Sequence, residues 1–162
     1  MMVRQMLKLI RPKQWIKNVF VLVPLVFSKT FTHPDAVLRA FYALACFIAA
    51  SSAIYILNDI IDIEKDKLHE TKRLRPLASG SVKKGSAALF MVALLAGSLV
   101  ASWFIHPSVV LCIVAYVVIN ILYTLVLKKI AILDIMIISL GFVLRVISGA
   151  AAIQVYISSW VL

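Results

Sequence analysis

Acidic residues are scarce in this chain, with 7 Asp and Glu among 162 residues against 17 Lys and Arg, for a net charge of +10. Charged residues of both signs reach only 15%, below the roughly 25% of a soluble domain. With 63% hydrophobic residues and a mean hydropathy of +1.02, this excludes an ordinary soluble domain and a disordered chain. It points to an integral membrane protein. Cysteine is nearly absent too. Cys46 and Cys112 each sit in an apolar run without metal-ligand spacing, so they read as small buried hydrophobes and not as a disulfide scaffold. His33, His69 and His106 lie in three different connections, which gives neither a triad nor a zinc site. There is no internal repeat and no low-complexity linker. No cleavable signal peptide is evident: the first 17 residues carry five cations and Pro12, and no small-residue cleavage site follows.

What the chain has in abundance is long apolar runs. A spanning helix needs roughly 20 mostly apolar residues, because the hydrocarbon core is about 30 Å thick and each residue rises about 1.5 Å. Five segments qualify: residues 12–28, 37–63, 85–105, 107–127 and 130–153, with a sixth beginning at Ser158. The first is the weakest, since Lys17 and Lys29 bound its charge-free stretch and Pro24 interrupts it. Open sheet edges are not tolerated in lipid, so the expected fold is all-α, a polytopic transmembrane helix bundle. A single domain over residues 1–162 is expected.

The cations sort by side. Arg4, Lys8, Arg11, Lys13 and Lys17 precede the first span; Lys65, Lys67, Lys72, Arg73, Arg75, Lys83 and Lys84 follow the second; Lys128 and Lys129 follow the fourth. The opposite connections hold only Lys29 and Arg39, and Arg145 lies inside the fifth span. Cytoplasmic loops collect Lys and Arg, so the N-terminus and both basic loops are expected in the cytoplasm of a plasma membrane. That asymmetry accounts for the basic excess without nucleic acid, and none is expected as a partner.

Five of the seven acids fall in one stretch: Asp59, Asp62, Glu64, Asp66 and Glu70. At about 100° per residue, Asn58, Asp59, Asp62 and Asp66 share an arc of roughly 100° at the end of the second helix, while Glu64 points away. Carboxylates so spaced repel and oppose the helix dipole at a C-terminus, so something positive must compensate. Mg²⁺ suits the position, because it takes one or two carboxylates, waters and the oxygens of a substrate phosphate. The competing interpretation is a solvated helix end salt-bridged to nearby lysines.

Downstream, Lys72, Arg73 and Arg75 lead into Pro76-Leu77-Ala78-Ser79-Gly80. Arg suits bidentate phosphate contact, but topology alone also calls for cations here. Arg75, beside Pro76 and near Gly80, is expected to be the ordered one. Arg145 lies 11 residues past Asp134, hence about 16 Å deeper in a helix. Ionisable groups at such depth face a cavity or a partner. Tyr55 and Tyr123 lie near the cytoplasmic helix ends, as interfacial residues or as pocket walls.

Asn58-Asp59-x-x-Asp62-x-x-x-Asp66 followed by Lys72-Arg73-x-Arg75-Pro76-Leu77-x-Ser79-Gly80 resembles the first motif of the UbiA superfamily of intramembrane prenyltransferases. Arg11-Pro12-Lys-Gln14-Trp15-Ile-Lys17-Asn18, Tyr123 with Leu127-Lys128, and Gly141-Phe-Val-Leu-Arg145 look like one branch, the decaprenyl-phosphate phosphoribosyltransferases. Leu74 departs from the Asn of many prenyl-transferring members. The resemblance covers nearly the whole chain. It implies a nine-helix bundle with a cytoplasmic polar cavity, of which this chain would be a C-terminally incomplete part.

It further implies Mg²⁺ on Asp59, Asp62 and Asp66 as the catalytic metal ligands. Lys17, Asn58, Arg73, Arg75, Tyr123, Lys128 and Arg145 would bind substrate. The donor would be a diphosphate, 5-phosphoribosyl diphosphate, and the acceptor a polyprenyl phosphate. The product would be a precursor for arabinose donors of the cell wall. Prenyl transfer to an aromatic acid such as 4-hydroxybenzoate is the alternative within the superfamily; a transporter or non-catalytic membrane subunit is the alternative outside it. A homo-oligomer is a further expected arrangement.

Overall fold

A computed structural model describes residues 2–125 and 131–156, with the side chains at 2, 3, 131, 132 and 134 left aside. Lys128, the carboxylate of Asp134 and the start of a sixth span at Ser158 lie outside the described residues. The chain is helical in the order α1 Met2–Leu9, a 3-10 helix Pro12–Leu22, α2 Val23–Phe27, α3 Pro34–Ile61, α4 Ile63–Lys67, α5 Lys84–Trp103, α6 Pro107–Leu125 and α7 Ala131–Ile153. Short 3-10 turns at Thr30–Thr32 and Lys72–Leu74 complete it, and no strand occurs among the described residues.

Four helices are long and apolar enough to cross a membrane: Pro34–Ile61, Lys84–Trp103, Pro107–Leu125 and Ile135–Ile153. Their starts follow from local chemistry. Pro34 occupies the first turn of α3, where its missing N–H costs nothing, and Asp35 beside it favours the positive end of the dipole. Pro107 opens α6, and the Ser108 N–H donates to His106 Nδ1 at 3.2 Å, so this histidine caps a helix.

The weakest expected span takes a different form. Residues 12–28 make an eleven-residue 3-10 helix running into the five-residue α2, not one long α-helix. A 3-10 helix rises about 2.0 Å per residue, so these two pieces still cover about 30 Å, the thickness of the hydrocarbon core. The 3-10 rise makes this segment longer than an α-helix of the same residues would be.

That segment lies against α3 and α7. It comes so close to α7 that a Cβ on Gly149 would stand 1.9 Å from the Val21 carbonyl oxygen. Small residues also line the buried face of α3, at Ala40, Ala43, Ala50, Ser51 and Ala53. Ser98 of α5 donates to the Cys46 carbonyl at 2.8 Å. Lipid offers no hydrophobic drive between helices, so close contact and hydrogen bonds of this kind hold the bundle. The central core joins Phe47 of α3 with Val109, Ile113 and Tyr116 of α6. A second cluster, Leu9, Ile56, Leu77, Val82 and Ala87, fastens α1 and the long connection between α4 and α5 onto α3 and α5. Large apolar side chains such as Leu89, Phe104, Leu111 and Ile135 remain exposed, as a lipid-facing surface requires.

Candidate active site at the C-terminal end of α3

The helix carrying the acidic motif does not run straight through it. Asp62 has φ −94° and ψ 11°, separating α3 from α4, although the N–H groups of Asp62 and Asp66 still reach Asn58 O and Asp62 O at 2.9 and 2.8 Å. This break turns Asp66 inward, where it is 4% exposed; Asp59 is 3% exposed.

Arg75 compensates both. Its Nη1 donates to Asp59 Oδ1 at 3.1 Å and to Asp66 Oδ2 at 2.7 Å. The loop that presents Arg75 is itself built for order. Pro76, Leu77 and Val82 are buried, the Val82 N–H donates to Pro76 O at 3.0 Å, and Gly80 takes the positive φ of 74° that the turn requires. Arg11 donates from Nη2 to the same Asp59 Oδ1, and its guanidinium lies 5.2 Å from the centre of the Tyr55 ring. Asp62, 27% exposed, lies 3.7 Å from Lys65 Nζ.

Two cavities flank this cluster. The outer one, about 400 Å³, is walled by Lys8, Arg11, Lys13, Gln14, Asp59 and Arg75, with Pro12. The inner one, about 210 Å³, runs between α3, α6 and α7, past Lys17, Tyr55, Asn58, Asn120, Tyr123 and Arg145. Asn58 faces it while held to α6, where the Thr124 hydroxyl donates to Asn58 Oδ1 at 2.5 Å.

Arg145 is 5% exposed in the wall of the inner cavity. Its Nε donates to Asn18 Oδ1 at 2.8 Å, Nη1 to Gly141 O at 2.7 Å and Nη2 to the Tyr116 hydroxyl at 3.3 Å. Three rings surround it, Phe47, Tyr116 and Phe142, with centroids 5.9, 4.8 and 5.6 Å from Cζ. Among the described residues no carboxylate pairs with it. Among these residues the guanidinium is solvated by dipoles and ring faces.

Of the residues singled out from sequence, Asp59, Asp66 and Arg75 are brought into one contact. Lys17, Asn58, Tyr123 and Arg145 line the inner cavity. Arg73 is exposed on the Lys72–Leu74 turn and lines neither cavity, and Lys128 falls outside the described residues. Sequence reasoning assigned no site role to Arg11, Asn18, Tyr116 or Asn120. A signal for two of them was present: Tyr116, Asn120 and Tyr123 recur at i, i+4 and i+7, one polar face on an otherwise apolar helix.

The oxygen donors can be tested for a hard cation directly on this geometry. A single cationic atom, Arg75 Nη1, already sits where an oxygen of each of two carboxylates converges. The donor set of Asn58, Asp59, Asp62 and Asp66 is all oxygen, which suits Mg²⁺, so the residues fit. Among the described residues no three His, Cys, Asp or Glu side chains form a ready cage. The expected three-carboxylate grouping is instead two carboxylates drawn onto guanidinium groups, because buried acids without a cation must take another positive partner.

The described residues thus form a helical membrane bundle with an acid-and-arginine cluster between two cavities. The chain belongs to the UbiA prenyltransferase family, whose model matches residues 19–162. It is 36% identical over 165 residues to decaprenyl-phosphate phosphoribosyltransferase of Mycolicibacterium smegmatis, covering 99% of this chain and 52% of that one. The Corynebacterium glutamicum protein of the same name is 37% identical over 161 residues, covering 97% and 48%. The chain thus spans about half the length of the curated relatives it matches. A solved structure of a UbiA homolog from Archaeoglobus fulgidus bound to GPP and Mg²⁺ superposes with a TM-score of 0.81 at 22% identity, over 97% of this chain and 56% of that one. At that identity the likeness speaks for the fold.

Proposed function

We propose that the protein is a Mg²⁺-dependent membrane transferase that moves the 5-phosphoribosyl group from phosphoribosyl diphosphate to a polyprenyl phosphate. The observation that carries this is the convergence of Asp59 and Asp66 on one cationic atom between a basic outer cavity and a deeper one lined by Arg145, which pairs with no carboxylate among the described residues. The relatives named decaprenyl-phosphate phosphoribosyltransferase support the choice of substrates.

Bound at Asp59, Asp62 and Asp66 with Asn58, Mg²⁺ would neutralise the diphosphate as it leaves. The chain's own residues supply the rest. Arg75 meets phosphate oxygens at the mouth, and Arg73, which lines neither cavity, adds positive charge outside it. Lys17 and Arg145 draw the acceptor's phosphate into the inner cavity, and Tyr123 forms its wall. The acceptor oxygen attacks ribose C1, forming the C1–O bond as the C1–diphosphate bond breaks. No general base is needed, because the acceptor is already an anion. Fourteen of the 17 basic residues lie on the side of the acidic motif, which supports a cytoplasmic N-terminus and active site in the plasma membrane.

The test is a membrane assay with labelled phosphoribosyl diphosphate plus polyprenyl phosphate, run beside prenyl diphosphate plus an aromatic acid. Label is expected in the lipid product of the first pair only, abolished by a chelator and in Asp62→Ala. Label in the second pair alone would assign prenyl transfer, and full activity of Asp62→Ala would remove the metal role.

A further inference from the structure

Arg11 holds an unusual backbone. Its φ of 49° and ψ of 66° are left-handed, a region that non-glycine residues rarely enter, and the residue before a proline is normally extended. The fold over-determines this conformation. The carbonyl of Ile10, just ahead of it, accepts from Trp15 Nε1 at 3.1 Å and from the Ser52 hydroxyl at 3.1 Å. The Gln14 N–H donates to Arg11 O at 2.8 Å. What the turn achieves is the delivery of a guanidinium to Asp59, above Tyr55 and into the wall of the outer cavity.

Asp59 Oδ1 is thereby shared by two arginines, Arg11 and Arg75. The cavity they border also carries Lys8 and Lys13, four cations to one carboxylate. A surplus of positive charge around an open cavity at the aqueous end of the bundle fits a phosphoryl anion, which takes charge-assisted hydrogen bonds from Arg and point-charge contact from Lys.

We propose that the outer cavity is a phosphoryl-anion site and that Arg11 is its principal ligand, exchanging from Asp59 to a phosphate oxygen as the acidic motif takes up a divalent cation. In this arrangement Arg11 and Arg75 hold Asp59 and Asp66 in place before substrate arrives. The same arginines are then released onto the anion. The inference rests on the reading of the acidic motif as a metal site.

Mn²⁺ serves as the probe, titrated by electron paramagnetic resonance into the purified protein in lipid nanodiscs without phosphate. Arg11→Ala is expected to bind Mn²⁺ about tenfold more tightly than wild type, because a competing cation is gone. With Mn²⁺ present it should bind pyrophosphate about tenfold more weakly by calorimetry. Arg11→Lys should fall between on both. The double variant Lys8→Gln/Lys13→Gln, which leaves the contact with Asp59 intact, should weaken the anion and leave Mn²⁺ unchanged. The double variant and Arg11→Lys carry the test should Arg11→Ala not fold.

Two competitors locate the anion. A loss confined to pyrophosphate assigns the cavity to the donor's diphosphate, and a loss confined to ribose 5-phosphate assigns it to the terminal phosphate. Unchanged binding of both anions, or of Mn²⁺, across the Arg11 variants would overturn the proposal. Mn²⁺ binding at wild-type strength in Asp62→Asn would instead overturn the metal reading of the motif.

Discussion

Arg75 Nη1 stands 2.7 Å from Asp66 Oδ2 across nine residues of chain, between a 3-10 turn and a helix end that the break at Asp62 has turned inward. The same nitrogen reaches Asp59, so one side chain from the connection between α4 and α5 closes the end of α3. Removing one partner of a buried pair is costly because the other charge stays behind unpaired.

Arg75→Ala should therefore lose about 2–4 kcal/mol of stability, and Mg²⁺ should recover part of it by replacing the lost cation. Thermal unfolding with and without millimolar Mg²⁺ reads both effects. A variant that gains nothing from the metal would show that Asp59 and Asp66 do not share a cation site.

Arg145 and Asn18 form the corresponding link deeper in the bundle, 127 residues apart in sequence and 2.8 Å apart in space. Asn18 is itself held by α3, since its Nδ2 donates to Ser51 Oγ at 3.0 Å. A double-mutant cycle with Arg145→Met and Asn18→Ala should give a coupling energy of about 1–2 kcal/mol. Transfer activity should fall in Arg145→Met. Wild-type activity there, with the coupling intact, would leave Arg145 a packing role alone.

Gly149 marks the tightest approach between segments. Gly149→Ala places a methyl carbon against backbone oxygen, not against a flexible side-chain end, so it should destabilise by about 3 kcal/mol or prevent folding. Gly97→Ala is the control. Nothing lies within 4 Å of its added Cβ, and helix propensity should make it neutral or stabilising by up to about 1 kcal/mol. Equal effects at the two sites would mean that the 3-10 segment does not lie against α7.

Topology is open to cysteine labelling, because Cys46 and Cys112 are both buried and should stay silent to a membrane-impermeant maleimide. Thr32→Cys, in the connection before α3, should label from outside intact cells. Glu70→Cys should label only after the membrane is opened. The reverse pattern would invert the orientation inferred from the basic residues.

Much of the bundle is legible in the sequence because lipid leaves few options. Residues 37–63, 85–105, 107–127 and 130–153 must be helical to satisfy their backbones, and α3, α5, α6 and α7 lie on those runs within a few residues. Segment 12–28 is where periodicity misleads. Its apolar content is right for a span, but the 3-10 geometry depends on packing against α3 and α7, with Gly149 permitting the approach. The acidic motif is equally visible, since Asn58, Asp59, Asp62 and Asp66 fall on one arc at helical spacing. The helix break at Asp62 and the pairing of Asp59 with Arg11, 48 residues away, are not.

Sequence by itself determined the helical class, the sidedness of charge and the residue types offered to a phosphate or a metal. These depend on composition and local spacing, which the chain carries wherever it goes. Only the tertiary structure decided which cation meets which acid, that Arg145 is solvated by Asn18, Tyr116 and the Gly141 carbonyl, and that the polar space divides into an outer and an inner cavity. Those pairings join segments distant in the chain, and a charge in a low-dielectric interior is stable only beside a partner that folding brings within about 3 Å.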